Sequence, residues 1–181
     1  AIKSGTSLTV TNCTISGNTA DSGGAILCDS TLTLNNSILW KNSDGNLHYT
    51  GTLSASRNLI EIDPRFVRDP SDGGDGWGDD PDTPEIDESA NDDYGDLRLL
   101  ADSPAIDAGG AGLIPDDAYD LDGDGNTTEP VPFDLGGNYR LVGEAVDIGA
   151  YEFFVSSGIP GDLNNDGVVD SADLGIVQAN W

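Results

Sequence analysis

The sequence predicts an all-β protein that folds as a parallel β-helix of about three coils, with irregular acidic loops and a small C-terminal calcium loop-helix. Three observations predict this arrangement: a repeat near the N-terminus, short β-prone runs broken by Gly, Asn and Asp, and a calcium-loop motif near the C-terminus. We expect coils over residues 1–62, a closing segment with acidic insertions over 63–155, and a separate tail over 156–181.

The repeat consists of two stretches, LTVTNCTISGN from Leu8 and LTLNNSILWKN from Leu32, which match at an offset of 32 − 8 = 24 residues. A period in this range is typical of a β-solenoid, in which each side chain stacks on its equivalent one rung away. We expect core stacks of Val10 on Leu34 and Ile15 on Leu39, and an asparagine ladder of Asn18 on Asn42.

Further apolar residues are assigned to the strands that complete these coils. Ile26 and Leu47 belong to intervening strands, and Leu53, Leu59 and Ile60 to a third, less regular coil. An ordinary β-sandwich that shows one matching pair by accident is the alternative fold.

The tail motif places oxygen-bearing groups at the spacing of a calcium loop, with Gly167 at the position of the sharp turn. Calcium takes about 6–8 oxygen ligands, and one of them is a main-chain carbonyl. The predicted ligands are Asp162, Asn164, Asp166, the carbonyl of Val168, Asp170 and Asp173. The helix that follows would carry Leu174, Val177 and Trp181 on one face.

A second acidic segment repeats the opening of such a loop. Its predicted calcium ligands are Asp120, Asp122, Asp124, Asn126 and Glu129. The usual closing position falls on Val131, which cannot bind calcium, so Glu129 or Asp134 must complete the ligand shell. An Asp- and Gly-rich turn without an ion is the alternative.

Residues 69–96 contain twelve acidic residues and no basic one. Gly and Pro are frequent, and Trp77 and Ile86 are the large apolar side chains available as anchors. Such a segment cannot form its own core, and we expect a long loop that is either ordered by ions or disordered.

The formal charge is −26, from 33 acidic against 7 basic residues. Phosphate backbones and anionic membranes would be repelled, so we expect no nucleic-acid partner. No apolar run approaches the ~20 residues needed to cross a bilayer, and we expect no membrane insertion. The charge favours bound calcium as a stabilising cofactor, and a solvated acidic coat without ions is the alternative.

Calcium binding suits an extracellular or cell-surface location, where the ion is plentiful. Cys13 and Cys28 could form a disulfide there, but two cysteines do not define a framework. The chain contains no methionine, so we expect a processed product or a fragment of a longer protein.

Four motifs carry a family resemblance. Residues 63–67, 93–99, 103–109 and 146–153 resemble, in that order, the closing segment of right-handed parallel β-helix surface proteins of the choice-of-anchor type. With the Asn-rich coils, the resemblance covers most of residues 8–153. It implies a right-handed helix and a bacterial, exported protein whose C-terminus carries an anchoring or sorting module.

The tail resembles one repeat of a dockerin module, a family that pairs two such loop-helix units. In that family the tenth and eleventh loop residues contact a cohesin. Ser171 fits this pattern and Ala172 does not. The resemblance implies a cohesin-like or surface-layer partner.

Catalysis is not expected. The only histidine, His48, lies in a predicted strand, and no nucleophile elbow accompanies it. A carbohydrate-active lyase or hydrolase is the enzymatic alternative, but a lyase needs a cationic trough and this chain is strongly negative.

We therefore expect an extracellular, calcium-stabilised structural or assembly protein, such as a cell-surface or filament subunit. Self-association would use the β-helix ends, where unpaired strand edges recruit other strands, or the C-terminal tail. A binding module that docks to a cohesin-like receptor or a cell coat is the alternative.

Overall fold

The computed structural model describes residues 1–43, 45–74, 77, 87–141 and 145–154. The fold of these residues is all-β, as predicted, with strands of two to four residues and two short 3₁₀ helices. The strands are β1 (Ile2–Ser4), β2 (Leu8–Thr11), β3 (Thr14–Ser16), β4 (Ile26–Cys28), β5 (Leu32–Asn35), β6 (Ile38–Trp40), β7 (Leu47–Tyr49), β8 (Leu53–Ser56), β9 (Leu59–Ile60), β10 (Phe66–Arg68) and β11 (Asp96–Leu99). The 3₁₀ helices span Glu88–Asn91 and Ala111–Leu113.

The first nine strands form three parallel sheets, with the orders β1-β4-β7, β2-β5-β8 and β3-β6-β9. We name the groups β1–β3, β4–β6 and β7–β9 the first, second and third rungs. Leu8 pairs with Leu32, an offset of 24 residues that confirms the predicted repeat, and Leu32 pairs with Leu53, an offset of 53 − 32 = 21. Stacked parallel strands of this kind are compatible with a β-helix.

The predicted stacks are confirmed. Val10 pairs with Leu34 and Ile15 with Leu39. These side chains belong to one hydrophobic cluster inside the three sheets, together with Ala25, Ile26, Cys28 and Leu32. Ile26 also pairs with Leu47, as expected for the intervening strands. Each inward side chain thus buries its surface against the equivalent position in the next rung.

An asparagine ladder follows β3 and β6, as predicted. The side-chain amide of Asn18 donates to Oδ1 of Asn42 at 3.0 Å, and the same oxygen accepts the main-chain N–H of Asn18 at 3.1 Å. The Asn42 amide donates in turn to Oδ1 of Asn46 at 2.8 Å and to the carbonyl of Ile15 at 2.9 Å. The ladder therefore satisfies main-chain groups where the strands turn.

The segment after β9 covers the outer face of the β3-β6-β9 sheet. Strands β10 and β11 pair in antiparallel fashion. A second hydrophobic cluster buries Ile38 and Leu59, which alternate with the inward residues of their strands, against Phe66, Leu99, Ala105 and Ile148. Each side of this sheet consequently faces its own core.

Gly149 brings the last described segment close to the rungs. Its N–H donates to the carbonyl of Asn36 at 2.8 Å, and its φ is 114°. A Cβ atom there would lie 2.8 Å from both Ile38 Cδ1 and Thr14 Oγ1. Only glycine allows this close approach.

A buried network closes the segment around Arg140. Its guanidinium donates to Oε1 of Glu152 at 3.1 Å and to the carbonyls of Gly149 and Ala150 at 3.0 Å each. Oε2 of Glu152 accepts the N–H of Asp147 at 2.9 Å. The pKa of Glu152 is raised to about 8, because the effect of burial, together with the negative charge of Asp147, exceeds the opposing effect of the hydrogen bonds and Arg140.

The two cysteines are both free thiols. Sγ of Cys13 donates to the carbonyl of Thr11 at 3.2 Å, and Sγ of Cys28 donates to the carbonyl of Thr6 at 3.4 Å. Cys28 is fully buried and belongs to the inner core. Both residues therefore serve as small packing groups in this structure.

Candidate metal centre

The predicted tail site, Asp162 to Asp173, lies outside the described residues, as do Trp181 and the whole 156–181 unit. The second predicted site lies within them and is therefore the candidate metal centre.

The chain around this site is folded back on itself. Asp116 and Pro130 form an isolated antiparallel bridge. The N–H of Asp117 donates to the carbonyl of Glu129 at 2.7 Å, and the N–H of Val131 donates to the carbonyl of Pro115 at 2.9 Å. These bonds close the loop of residues 117–129, which we call the acidic loop.

Within the acidic loop, carboxylates cap the amides of a tight turn. Oδ1 of Asp120 accepts the N–H of Gly125 at 3.0 Å, and Oδ1 of Asp124 accepts the N–H of Asn126 at 2.7 Å. Gly123 and Gly125 have φ values of 75° and 85°, which glycine adopts without strain. Asx-type hydrogen bonds and glycines together explain why the sequence turns here.

The turn brings most of the predicted ligands together. One carboxylate oxygen each from Asp120, Asp122 and Asp124 lie within 4.8 Å of one another. Carboxylate oxygens of Asp122, Glu129 and Asp117 form a second group, also within 4.8 Å of one another. Asp117 was not among the ligands predicted from the sequence. Asp122 belongs to both groups.

The remaining candidates use their side chains differently. Oδ1 of Asn126 accepts hydrogen bonds from the N–H and Oγ1 of Thr128 at 3.1 and 2.9 Å, and its amide donates to Oε2 of Glu129 at 3.0 Å. The carboxylate of Asp134 instead accepts hydrogen bonds from the N–H groups of Asn138 and Glu152. Of the two residues considered for closing the shell, Glu129 is therefore the one that joins a carboxylate group in this conformation.

The negative field of the loop affects Glu129. Partial burial raises the pKa of its carboxyl, and the charges of Asp124 and Asp122 raise it further. A divalent cation would remove this repulsion, and the oxygen-only donor set matches the preference of calcium. The residues present thus fit calcium better than zinc, which binds mainly nitrogen and sulfur.

Asp117 has no counterpart in the spacing of a calcium loop, because it precedes the first loop ligand, Asp120, by three residues. Its position depends on the pairing of residues 115–117 with 129–131, which no local pattern indicates. The only sequence signal is its place in an acidic pair, Asp116-Asp117, next to the motif.

A separate cleft of about 830 Å³ lies along the outer face of β3. Trp77 and Tyr94 line it, with ring centroids 5.7 Å apart and an interplanar angle of 17°. Asp92 is the one acidic residue among the described lining residues. His48 is in β7, as predicted, where it pairs with Leu27.

No model of a known protein family, no curated protein and no solved structure matches this chain. The fold and the site define the class of this protein as all-β, with parallel strands in stacked sheets and a carboxylate-rich loop. Within the described ranges, no helix is both long and apolar enough to span a lipid bilayer.

Proposed function

We propose that this chain is an extracellular, calcium-stabilised structural or assembly protein, a cell-surface or filament subunit. It would be the end segment of a right-handed parallel β-helix of about three coils, of the choice-of-anchor type, with a dockerin-like attachment tail. The observation that carries this proposal is the open edge of the first rung. β1, β2 and β3 each pair with one strand only among the described residues.

Open strand edges favour addition of further strands, because their main-chain groups lack partners. The N–H groups of Leu8 and Asn12 donate to the second rung at 2.9 and 3.1 Å. Since alternate residues of a strand direct their main-chain groups to opposite sides, Thr9 directs its N–H to the open edge. Strands from another copy, or from a further segment of a longer chain, would extend all three sheets at this edge.

The test is sedimentation velocity and electron microscopy of the full chain with calcium and with EDTA, at equal ionic strength. We expect oligomers or filaments with calcium and smaller species with EDTA. Thr9→Pro should reduce assembly, because proline lacks the N–H donor, while the control Thr9→Ala keeps it. Particles that remain monomeric at high calcium would contradict the proposal.

Docking of the tail to a cohesin-like receptor or a cell coat is the alternative. A pull-down with residues 160–181 distinguishes it, since a docking tag should capture its partner without the sheets.

A carbohydrate-active protein is the second alternative, and the cleft beside β3 favours it. Stacked aromatic rings such as Trp77 and Tyr94 offer a flat apolar surface to a sugar ring, and a neighbouring carboxylate can accept hydroxyl hydrogen bonds. A glycosidase needs two carboxylates across the scissile bond, and the described lining of this cleft provides only Asp92. Release of reducing ends or unsaturated uronates from glycans would support this alternative.

A further inference from the structure

Asp117 is a buried carboxylate that lacks a counter-charge within the described part of the chain. The residue is 1% exposed. Its Oδ2 accepts the N–H of Leu121 at 2.7 Å, but its Oδ1 is buried and has no hydrogen-bond partner among the described residues. None of the ion pairs in those ranges includes it. Burial of an unpaired carboxylate is unfavourable, and a bound cation would offset its charge.

Two neighbouring carboxylates add negative charge beside Asp117. Carboxylate oxygens of Asp122 and Glu129 lie within 4.8 Å of a carboxylate oxygen of Asp117 and of each other. Oε1 of Glu129 is also buried without a hydrogen-bond partner in the described part of the chain. Two of the three residues in this group therefore each carry a buried carboxylate oxygen without a partner among the described residues.

The spacing of the group suits calcium. Calcium–oxygen distances are about 2.3–2.6 Å, so two ligands of one ion lie at most about 5 Å apart. The three oxygens satisfy this limit. No histidine or cysteine belongs to the group, and carboxylate ligands select calcium or magnesium over zinc. The irregular arrangement of one turn and two paired segments favours calcium over the strict octahedron of magnesium.

We propose that Asp117, Asp122 and Glu129 bind a calcium ion on the protein-facing side of the acidic loop, with Asp117 as the ligand that closes the site. This inference rests on the proposed calcium stabilisation and specifies where it acts. Asp117 and Glu129 are already joined by a main-chain hydrogen bond of 2.7 Å, so the ion would connect the tip of the loop to its base. The site thus takes its closing ligand from the first residue of the acidic loop, whereas the calcium-loop motif has its closing position at Val131, which cannot bind calcium.

Calcium titration calorimetry on the full chain tests the proposal. The background carries Asp162→Ala and Asp166→Ala, so that tail binding does not mask the acidic loop. We expect Asp117→Asn to weaken calcium binding at least tenfold in this background. The matched control is Asp116→Asn, because Asp116 is adjacent, exposed and absent from the group, and its affinity should change less than twofold.

Thermal unfolding separates a ligand from a structural carboxylate. Asn keeps the oxygen that accepts the Leu121 amide but removes the buried charge. Without calcium, Asp117→Asn should unfold at the same temperature as the background or higher, and with calcium at a lower temperature. A variant that is less stable in both conditions would overturn the proposal.

Two further results would distinguish failure of this site from failure of calcium stabilisation as a whole. Unchanged calcium affinity in Asp117→Asn, with weakened affinity in Asp122→Asn, would overturn this site and leave calcium stabilisation standing. Absence of calcium binding by the unaltered full chain would overturn both the site and the calcium part of the proposed function.

Discussion

At the scale of single residues, two asparagines at equivalent positions of the first and second rungs differ in their side-chain hydrogen bonds. Asn12 and Asn36 have φ values of 50° and 45°, a left-handed conformation that asparagine tolerates. Asn36 is fully buried, and its amide donates to the carbonyl of Gly110 at 3.0 Å and accepts the Gly110 N–H at 2.9 Å. Both polar atoms of the Asn12 amide are without such partners in the described ranges.

We expect Asn36→Ala to lower the free energy of unfolding by about 2–4 kcal/mol, because alanine leaves the partly buried main-chain groups of Gly110 unpaired and strains the left-handed backbone. Asn12→Ala is the matched control, and should cost only about 1 kcal/mol of strain. Urea denaturation measures both variants. Equal losses of stability would show that the hydrogen bonds to Gly110 contribute nothing.

Single residues also show where prediction from the sequence succeeds. The ladder of Asn18 on Asn42 follows from their identical place in two copies of one repeat, because stacked rungs bring equivalent positions together. Asp117 could not be found in this way. Its burial beside Glu129 results from contacts between segments that have no repeat.

At the scale of elements, residues 134–141 and 145–153 close the outer face of the β3-β6-β9 sheet through buried polar and charged groups. Asp147 accepts the N–H groups of Asp107 and Phe153, and Asp134 accepts the N–H of Glu152. Arg140 is the only cation in this network among the described residues, and the two side chains of its contact with the Glu152 carboxyl are both buried. Each of these buried hydrogen bonds replaces a bond to water. The segment must therefore keep this position for its polar groups to remain paired.

The network predicts a pH dependence of stability. The pKa of Glu152 is raised to about 8, so the folded state holds this proton more tightly than the unfolded state. Its contribution is full below the unfolded pKa, near 4.5, and is lost as the pH rises through about 8. Arg140, Asp147 and Asp134 are the charged groups that face Glu152.

We therefore expect the free energy of unfolding to fall between about pH 5 and pH 8, and Glu152→Gln to flatten that slope, since glutamine does not titrate. Chemical denaturation in excess calcium at several pH values measures the difference between the two slopes. This difference removes the contribution of the surface carboxylates, which both proteins share. Parallel pH profiles would show that Glu152 titrates alike in both states.

The elements were predictable to different degrees. β2, β3, β5 and β6 follow from apolar alternation within the repeat, and their register follows from its offset. The antiparallel pairing of β10 with β11 did not follow, because about thirty residues of acidic chain separate the strands and neither resembles the other. The second core beneath them was missed for the same reason.

At the scale of the whole molecule, the excess of negative charge is the main opposing force. Five of the seven basic residues, Lys41, Arg65, Arg68, Arg98 and Arg140, form ion pairs in the described ranges. Four of these pairs are exposed and contribute little. The protein therefore has few cations of its own to balance 33 acidic residues, which is why we propose that cations from solution contribute to its stability.

The most direct test of calcium stabilisation is thermal unfolding of the unaltered full chain, followed by far-ultraviolet circular dichroism, with calcium and after its removal. Sodium chloride at equal ionic strength controls for screening. At a calcium concentration of about 100 times Kd, one bound ion adds about 2.7 kcal/mol, which corresponds to roughly 5–10 °C in a chain of this size. We expect the metal-free protein to unfold lower by at least this interval. An identical unfolding temperature and an identical spectrum in both conditions would contradict the claim that calcium holds this acidic chain in its folded form.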